Sequence, residues 1–316
     1  MRSHVERQIA TTPSPAGTRQ WIQSLERAST FVNPPGTQLG RRNAVFIGTG
    51  RQHDTGEVEG WLSIKMMLAG SAVWKTPERQ FTVDENSFLI LNDRHRYRLR
   101  FDSSIPVTTF VLFFERGLVE DALRCRTAPS ASLLDEPSRP PRPAELLERL
   151  ETRASPLFGM LERFRRAMSS GMALSEAEDW FLRIAAQMAR EERSTAHAAG
   201  RLPAARAATR AELFRRVLRG RDYLLSHPAE RITLPAAARA ACLSPFHFHR
   251  AFTHAFGVTP HQVLTRHRLE LADAMLREGR PVTDVCLAVG FESLGSFSTL
   301  FRRHYGVSPR GLQQRA

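Results

Sequence analysis

SPFHFHRAFTHAFGVTP, residues 244–260, and SLGSFSTLFRRHYGVSP, residues 293–309, align at a constant offset of 49. Ser244 falls on Ser293, Phe248 on Phe297, Phe252 on Phe301 and Phe256 on Tyr305, and Gly257, Val258, Thr259 and Pro260 fall on Gly306, Val307, Ser308 and Pro309. Each copy opens on a serine suited to cap a helix and carries aromatics at i, i+4 and i+8 on one face. Each then stops at a glycine followed by a Ser/Thr-Pro start signal. A short helical stretch precedes each serine, about residues 234–241 and 282–289, across a turn of roughly three residues. That is the helix-turn-helix layout, twice.

Two copies are too few for a solenoid. The intervening PHQVLTRHRLELADAMLREG carries Val263, Leu264, Leu269, Ala272 and Leu276 at helical spacing and predicts one connecting helix. A rigid connector would hold the two second helices about 34 Å apart, one turn of B-DNA, so that both could enter successive major grooves. Charge points the same way. The chain of 316 residues carries 45 Lys+Arg against 32 Asp+Glu, a formal +13, and residues 210–316 hold 16 Arg, no Lys and 8 Asp+Glu, a net +8. A basic domain makes double-stranded DNA the first partner to test.

Once Phe248 and Phe252 are given to the core, the wet face of the first repeat's helix is left to Phe246, His249 and Arg250. A guanidinium can make a bidentate contact to guanine O6 and N7, an imidazole can donate or accept at a base edge, and a phenyl ring can pack on a thymine methyl. The second copy offers Leu294, Gly295, Ser296 and Thr299 there, side chains with little hydrogen-bonding reach. Arg302 and Arg303, near the end of that helix, and Ser244 and Ser293, at the caps, are the candidates for phosphate contact.

On LSPFHFHRAFTHAFGVTP and VTDVCLAVGFESLGSFSTLFRRHYGVSP, residues 209–316 resemble the DNA-binding domain of the AraC/XylS family of bacterial transcription regulators. Cys286 stands where many members have alanine. The resemblance implies base contact by the same three first-copy positions, and a sequence-specific, homodimeric transcription regulator whose N-terminal β domain answers to a small effector or a partner.

The N-terminal region fits the α+β fold class so implied. Residues 1–20 are polar and read as a disordered terminus, and residues 21–126 carry short β-type runs, WLSIKMMLAGSAVW, QFTVDENSFLILND, HRYRLRFD and VTTFVLFF, that predict an antiparallel barrel or sandwich similar to cupin-like sensors. In HRYRLRFD, His95, Tyr97, Leu99 and Phe101 alternate with arginines, the period of a strand with one buried face. That inward set places an effector pocket at His95, Tyr97 and Phe101, with Trp61 and Trp74 on neighbouring strands; a solid core would use the same residues. Residues 127–143, rich in Pro and Ser, read as a linker. Residues 144–208 read as helices, with Leu146, Leu147 and Leu150, then Leu157, Leu161, Phe164 and Met168, then Trp180, Phe181, Ile184 and Met188, serving dimerisation or simple packing.

Other classes find less support. His4, His53 and His95 are isolated from one another, so neither a metal nor a cofactor is expected, and with them goes the reading as a metal-dependent cupin enzyme. Cys125, in LRCRT, lacks the local motif that an alkyl-transferring thiolate needs. The protein is therefore expected not to be an enzyme, and the remaining alternative is an architectural, ligand-independent DNA-binding dimer. Without an apolar run long enough to span a bilayer or a signal-peptide core, it is expected in the cytoplasm. Whether it activates, with RNA polymerase as a further partner, or represses depends on where its site lies.

Overall fold

The computed structural model describes residues 28–31, 39–127, 146–204 and 206–314. The terminus expected at 1–20 and all but the first residue of the expected linker lie outside them. The chain divides into two compact units between Thr195 and Ala196, giving the expected α+β architecture: an antiparallel sheet with flanking helices, then a helical unit.

The first unit is built on one strand. β1 (Ala28–Phe31), β2 (Ala44–Asp54), β3 (Val58–Glu59), β4 (Ser63–Ala69), β5 (Ala72–Lys75), β6 (Gln80–Val83) and β7 (Ser87–Leu91) precede β8 (Arg96–Phe113), and β9 (Leu150–Thr152) follows it. HRYRLRFD and VTTFVLFF, read as separate runs in the sequence, are the two halves of β8. It pairs antiparallel with β2, β3, β4 and β5 and so curls the sheet around itself. The register against β2 shifts where Gly50 meets Val107 and Gln52 meets Asp102. The surplus residues of β8 include Pro106, which has no amide hydrogen for the ladder and is tolerated at such an irregularity.

Helices cover one face of the sheet. Ile64, Met66, Phe88, Ile90, Phe110 and Leu112 pack into one core with residues of α1 (Leu118–Thr127), α2 (Pro156–Ser169) and α3 (Leu174–Gly200), among them Leu157, Leu161, Phe164, Phe181, Ile184 and Met188. Phe164 is the hub, with ring centroids 6.4 Å from Phe110 and 5.8 Å from both Trp180 and Phe181. The helices expected to form a separate segment at 144–208 thus spend their aliphatic stripe on the β core, and the division between units falls inside that segment. Leu150, placed on a helix by its spacing from Leu146 and Leu147, instead begins β9 and pairs with Leu89 of β7. Three leucines were too short a run to separate the two periods.

The second unit comprises α4 (Ala207–Ser226), α5 (Leu234–Ala240), α6 (Pro245–Phe256), α7 (Pro260–Arg277), α8 (Val282–Ala288), α9 (Leu294–Tyr305) and α10 (Pro309–Gln313). Among the described residues no helix is long and apolar enough to cross a membrane.

All four tryptophans precede residue 196, so tryptophan fluorescence follows the first unit. Phe164→Ala is expected to destabilise that unit by about 3 to 5 kcal/mol, lowering the denaturant midpoint read by fluorescence. An unchanged midpoint would show that α2 is not part of the β core.

Candidate nucleic-acid interface

The two repeats fold alike because their caps and aromatic spacings are alike. Ser244 is extended at φ −68° and accepts the His247 amide hydrogen at 3.3 Å, Pro245 opens α6, and Gly257, at φ +72°, ends it. Ser293 accepts the Ser296 amide hydrogen at 3.3 Å and Gly306, at φ +75°, ends α9. Inside, Phe248, Phe252 and Phe256 stack at 5.5 and 4.7 Å, and Phe297, Phe301 and Tyr305 at 5.6 and 4.7 Å. Gly220 of α4 admits Phe248: a Cβ there would come within 2.3 Å of its ring.

The turns before the second helices differ by one residue. In the first, the amides of Cys242 and Leu243 return to the carbonyls of Arg239 and Ala238; in the second, those of Gly290 and Phe291 return to Leu287 and Cys286. Both are Schellman-type ends with the left-handed position at Cys242 (φ +52°) and Gly290 (φ +84°). The repeat therefore runs at an offset of 48 up to the turn and 49 after it, with Glu292 as the additional residue. Between the motifs α7 is continuous, started by a capping box in which Thr259 and Gln262 bond reciprocally at 2.8 and 3.2 Å.

With the aromatics inside, α6 presents Phe246, His249 and Arg250 outward, and Phe246 is 77% exposed while Phe248, two residues on, is fully buried. These three, with Thr253 and His254, line an open groove of about 350 Å³. On α9 the exposed side is formed by Leu294, Gly295, Ser296, Thr299, Arg302 and Arg303. Among the described residues Arg250, Arg302 and Arg303 make no ion pair, whereas Arg215 and Arg216 share Glu212, Arg266 holds Glu270 and Arg277 holds Asp273. The capping serines use an oxygen lone pair on the backbone and keep a hydroxyl hydrogen to donate.

The candidate effector pocket is brought together only in part. Tyr97, Phe101, Trp61 and Trp74 are buried, and Trp74 lies opposite Leu99 in the β5 and β8 register, which puts Trp74 on the inward face with Tyr97 and Phe101. His95 is not there. It precedes β8, its side chain is 53% exposed, and its Nδ1 lies 2.6 Å from Glu148. The alternating pattern extended one residue beyond the end of the strand. Lys65, which sequence reasoning passed over, is fully buried on that inward face: its Nζ donates to Tyr97 Oη at 3.2 Å and lies 4.6 Å from the centre of the Phe113 ring. Burial pushes its pKa down from the ordinary 10.5 to about 7 and pushes the Tyr97 hydroxyl up, so the phenol stays neutral. A lone lysine between Ile64 and Met66, in a run apolar throughout its neighbours, was the available signal.

A family model described as a helix-turn-helix domain matches residues 237–315. Curated relatives include a probable transcriptional regulator, LumQ, of Photobacterium leiognathi, 37% identical over 93 residues, and the transcriptional activator RhaS of Escherichia coli O139:H28, 39% identical over 93. The C-terminal unit is a helix-turn-helix domain of the AraC/XylS family. Each match covers 29% of this chain and 38% or 34% of the relative, so the chain spans little more than a third of the length of the curated relatives it matches. Among solved structures, a probable AraC family regulator from Rhodopseudomonas palustris is 28% identical over 32% of this chain and 96% of its own, with a TM-score of 0.31. ToxT from Vibrio cholerae is 9% identical over 86% of this chain and 97% of its own, with a TM-score of 0.34.

Lys65 gives the β unit a pH signature. Between pH 7 and 10.5 the unfolded chain holds the lysine proton and the folded chain does not, so stability rises with pH there, by about 1.4 kcal/mol per pH unit, and the whole penalty is present below pH 7. Lys65→Met is expected to be more stable than the parent at pH 6 and to lose that slope in urea titrations between pH 7 and 10. An identical slope in the variant would place the titration elsewhere.

Proposed function

We propose that this chain is a sequence-specific, double-stranded-DNA-binding transcription regulator in which α6 reads bases and α9 chiefly positions, governed through the N-terminal β unit by a small effector or a partner. The observation that carries it is the pair of equivalent helices, each capped at its start and packed through one aromatic face, each leaving an outward face with exposed arginines that no carboxylate of the described chain neutralises. Such arginines are costly neighbours in so basic a domain unless a polyanion supplies the counter-charge. The two faces differ in reach. Arg250 and His249 can satisfy base-edge donors and acceptors, while Gly295 and Ser296 allow close backbone approach and leave discrimination to methyl contact and DNA shape.

The N-terminal assignments extend this reading. A cupin-like sensor role for the curled sheet rests on the cluster of Trp61, Trp74, Tyr97 and Phe101, now joined by Lys65 and without His95. Dimerisation rests on the two-fold sites such regulators commonly use. A regulator of this kind acts on DNA in the cytoplasm, is not an enzyme, and would engage RNA polymerase if it activates. The two DNA-facing roles are assigned as follows: base contact to Phe246, His249, Arg250, Leu294, Ser296 and Thr299, and phosphate contact to Ser244, Ser293, Arg302 and Arg303.

Counterion release makes the affinity fall steeply with salt, log K against log salt having a slope of about −0.9 per phosphate neutralised. A slope near zero would contradict nucleic-acid binding. Arg302→Ala should weaken specific and random duplexes by the same factor and reduce that slope by about one. Arg250→Ala should cost about 1 to 3 kcal/mol on the specific site and chiefly relax one base pair. Equal loss of specificity in both variants would undo the division between base and phosphate contacts.

A further inference from the structure

A continuous α7 by itself leaves the second motif free to swing about its far end, since Glu278, Gly279, Arg280 and Pro281 intervene before α8. The second turn is nonetheless held. A Cβ at Gly290 would lie 2.8 Å from the Pro228 carbonyl oxygen, 2.9 Å from that of Ala229 and 2.9 Å from Arg268 Nη2, so the turn is pressed against the loop that leads into α5 of the first motif. Arg268, midway along α7, donates Nε to the Pro228 carbonyl and Nη2 to the Glu230 carbonyl, both at 2.8 Å. Its guanidinium lies 5.8 Å from the centre of the Phe291 ring, and Phe291 in turn meets Phe297, the first core aromatic of α9, at 5.3 Å. One side chain thus touches the approach to the first motif and the aromatic core of the second.

Resting on the two-headed DNA-binding reading, we propose that Arg268 is a positioning residue that fixes the separation and rotation of α9 relative to α6, and thereby the spacing of the two DNA segments that one chain can bind together. Its Nε and Nη2 are directed at backbone carbonyls of its own chain. The planar fork is needed because two carbonyls must be reached at once from one half-buried stem; a lysine ammonium sits at a single point. Gly290 is the matching half of the device, since any side chain there must push the turn away from Pro228 and Ala229.

The separation can be measured without DNA. In a full-length chain with Cys125→Ser and Cys242→Gly, spin labels at His254→Cys and His304→Cys report the distance between the ends of α6 and α9 by pulsed electron resonance. The parent should give one narrow distribution; Arg268→Lys, Arg268→Gln and Gly290→Ala should broaden or shift it. Distributions identical to the parent in all three would overturn the clamp. In unlabelled chains, inserting one base pair between the two bound segments should weaken the parent about tenfold, by losing simultaneous engagement, and Arg268→Lys less than about threefold. Affinity for a duplex carrying only the α6 segment should be equal in both, which a merely misfolded variant would not show. Altered distances with the parent's spacing preference would leave the clamp standing and overturn the two-headed reading of DNA.

Discussion

Two helices meant for successive grooves are useful only at one separation, and here the covalent path between them is α7, α8 and the short turn at Gly290. The constraint on which the second unit depends is therefore the docking of that turn: Gly290 against the carbonyls of Pro228 and Ala229, with Arg268 bonded to Pro228 and Glu230 and lying over Phe291. A single guanidinium donates to two loop carbonyls, of half-buried Pro228 and exposed Glu230, and so ties together three segments distant in sequence. The aromatic stacks of the two motifs then transmit that placement to their outward faces, because Phe297 and Phe301 are fully buried and cannot turn without opening the core.

Electrostatics follow from the same geometry. The second unit's charge is not spread evenly: the arginines at 215, 216, 266 and 277 each meet a carboxylate within a turn of their own helix, Arg221 lies by Asp222 and Arg231 by Glu292, while those at 250, 302 and 303 stand on the exposed sides of α6 and α9. Surface pairs of this kind contribute little to stability, yet they remove competing positive charge from other faces. The arginines at 250, 302 and 303 stand on the two helices whose separation Arg268 governs.

The C-terminal architecture was legible because it is written twice; an aromatic at every fourth position, a capping serine and a terminal glycine leave one solution in each copy. What stayed hidden there was long-range: nothing adjacent to Arg268 in sequence announces that it serves loop carbonyls 38 and 40 residues away, and the extra residue at Glu292 shows only when the turns are superposed. In the first unit local periods were readable and their connections were not. HRYRLRFD and VTTFVLFF read as separate runs where β8 continues through an irregularity, Leu146 to Leu150 carried too few positions to distinguish helix from strand, and His95 sits one residue outside the strand whose alternation it extends. Lys65 escaped because its burial is set by neighbours in space, Tyr97 and Phe113, that lie 32 or more residues away in sequence.

The central claim is that one C-terminal unit places two helices in successive major grooves on one face of DNA. Hydroxyl-radical and methylation footprinting of the chain on the DNA upstream of its own gene tests it most directly. The account predicts two protected major-groove segments per domain, centred about 10 base pairs apart on the same face, with the segment crosslinked from α6 the more sensitive to base substitution. A single protected segment, or greater sensitivity beneath α9, would contradict it.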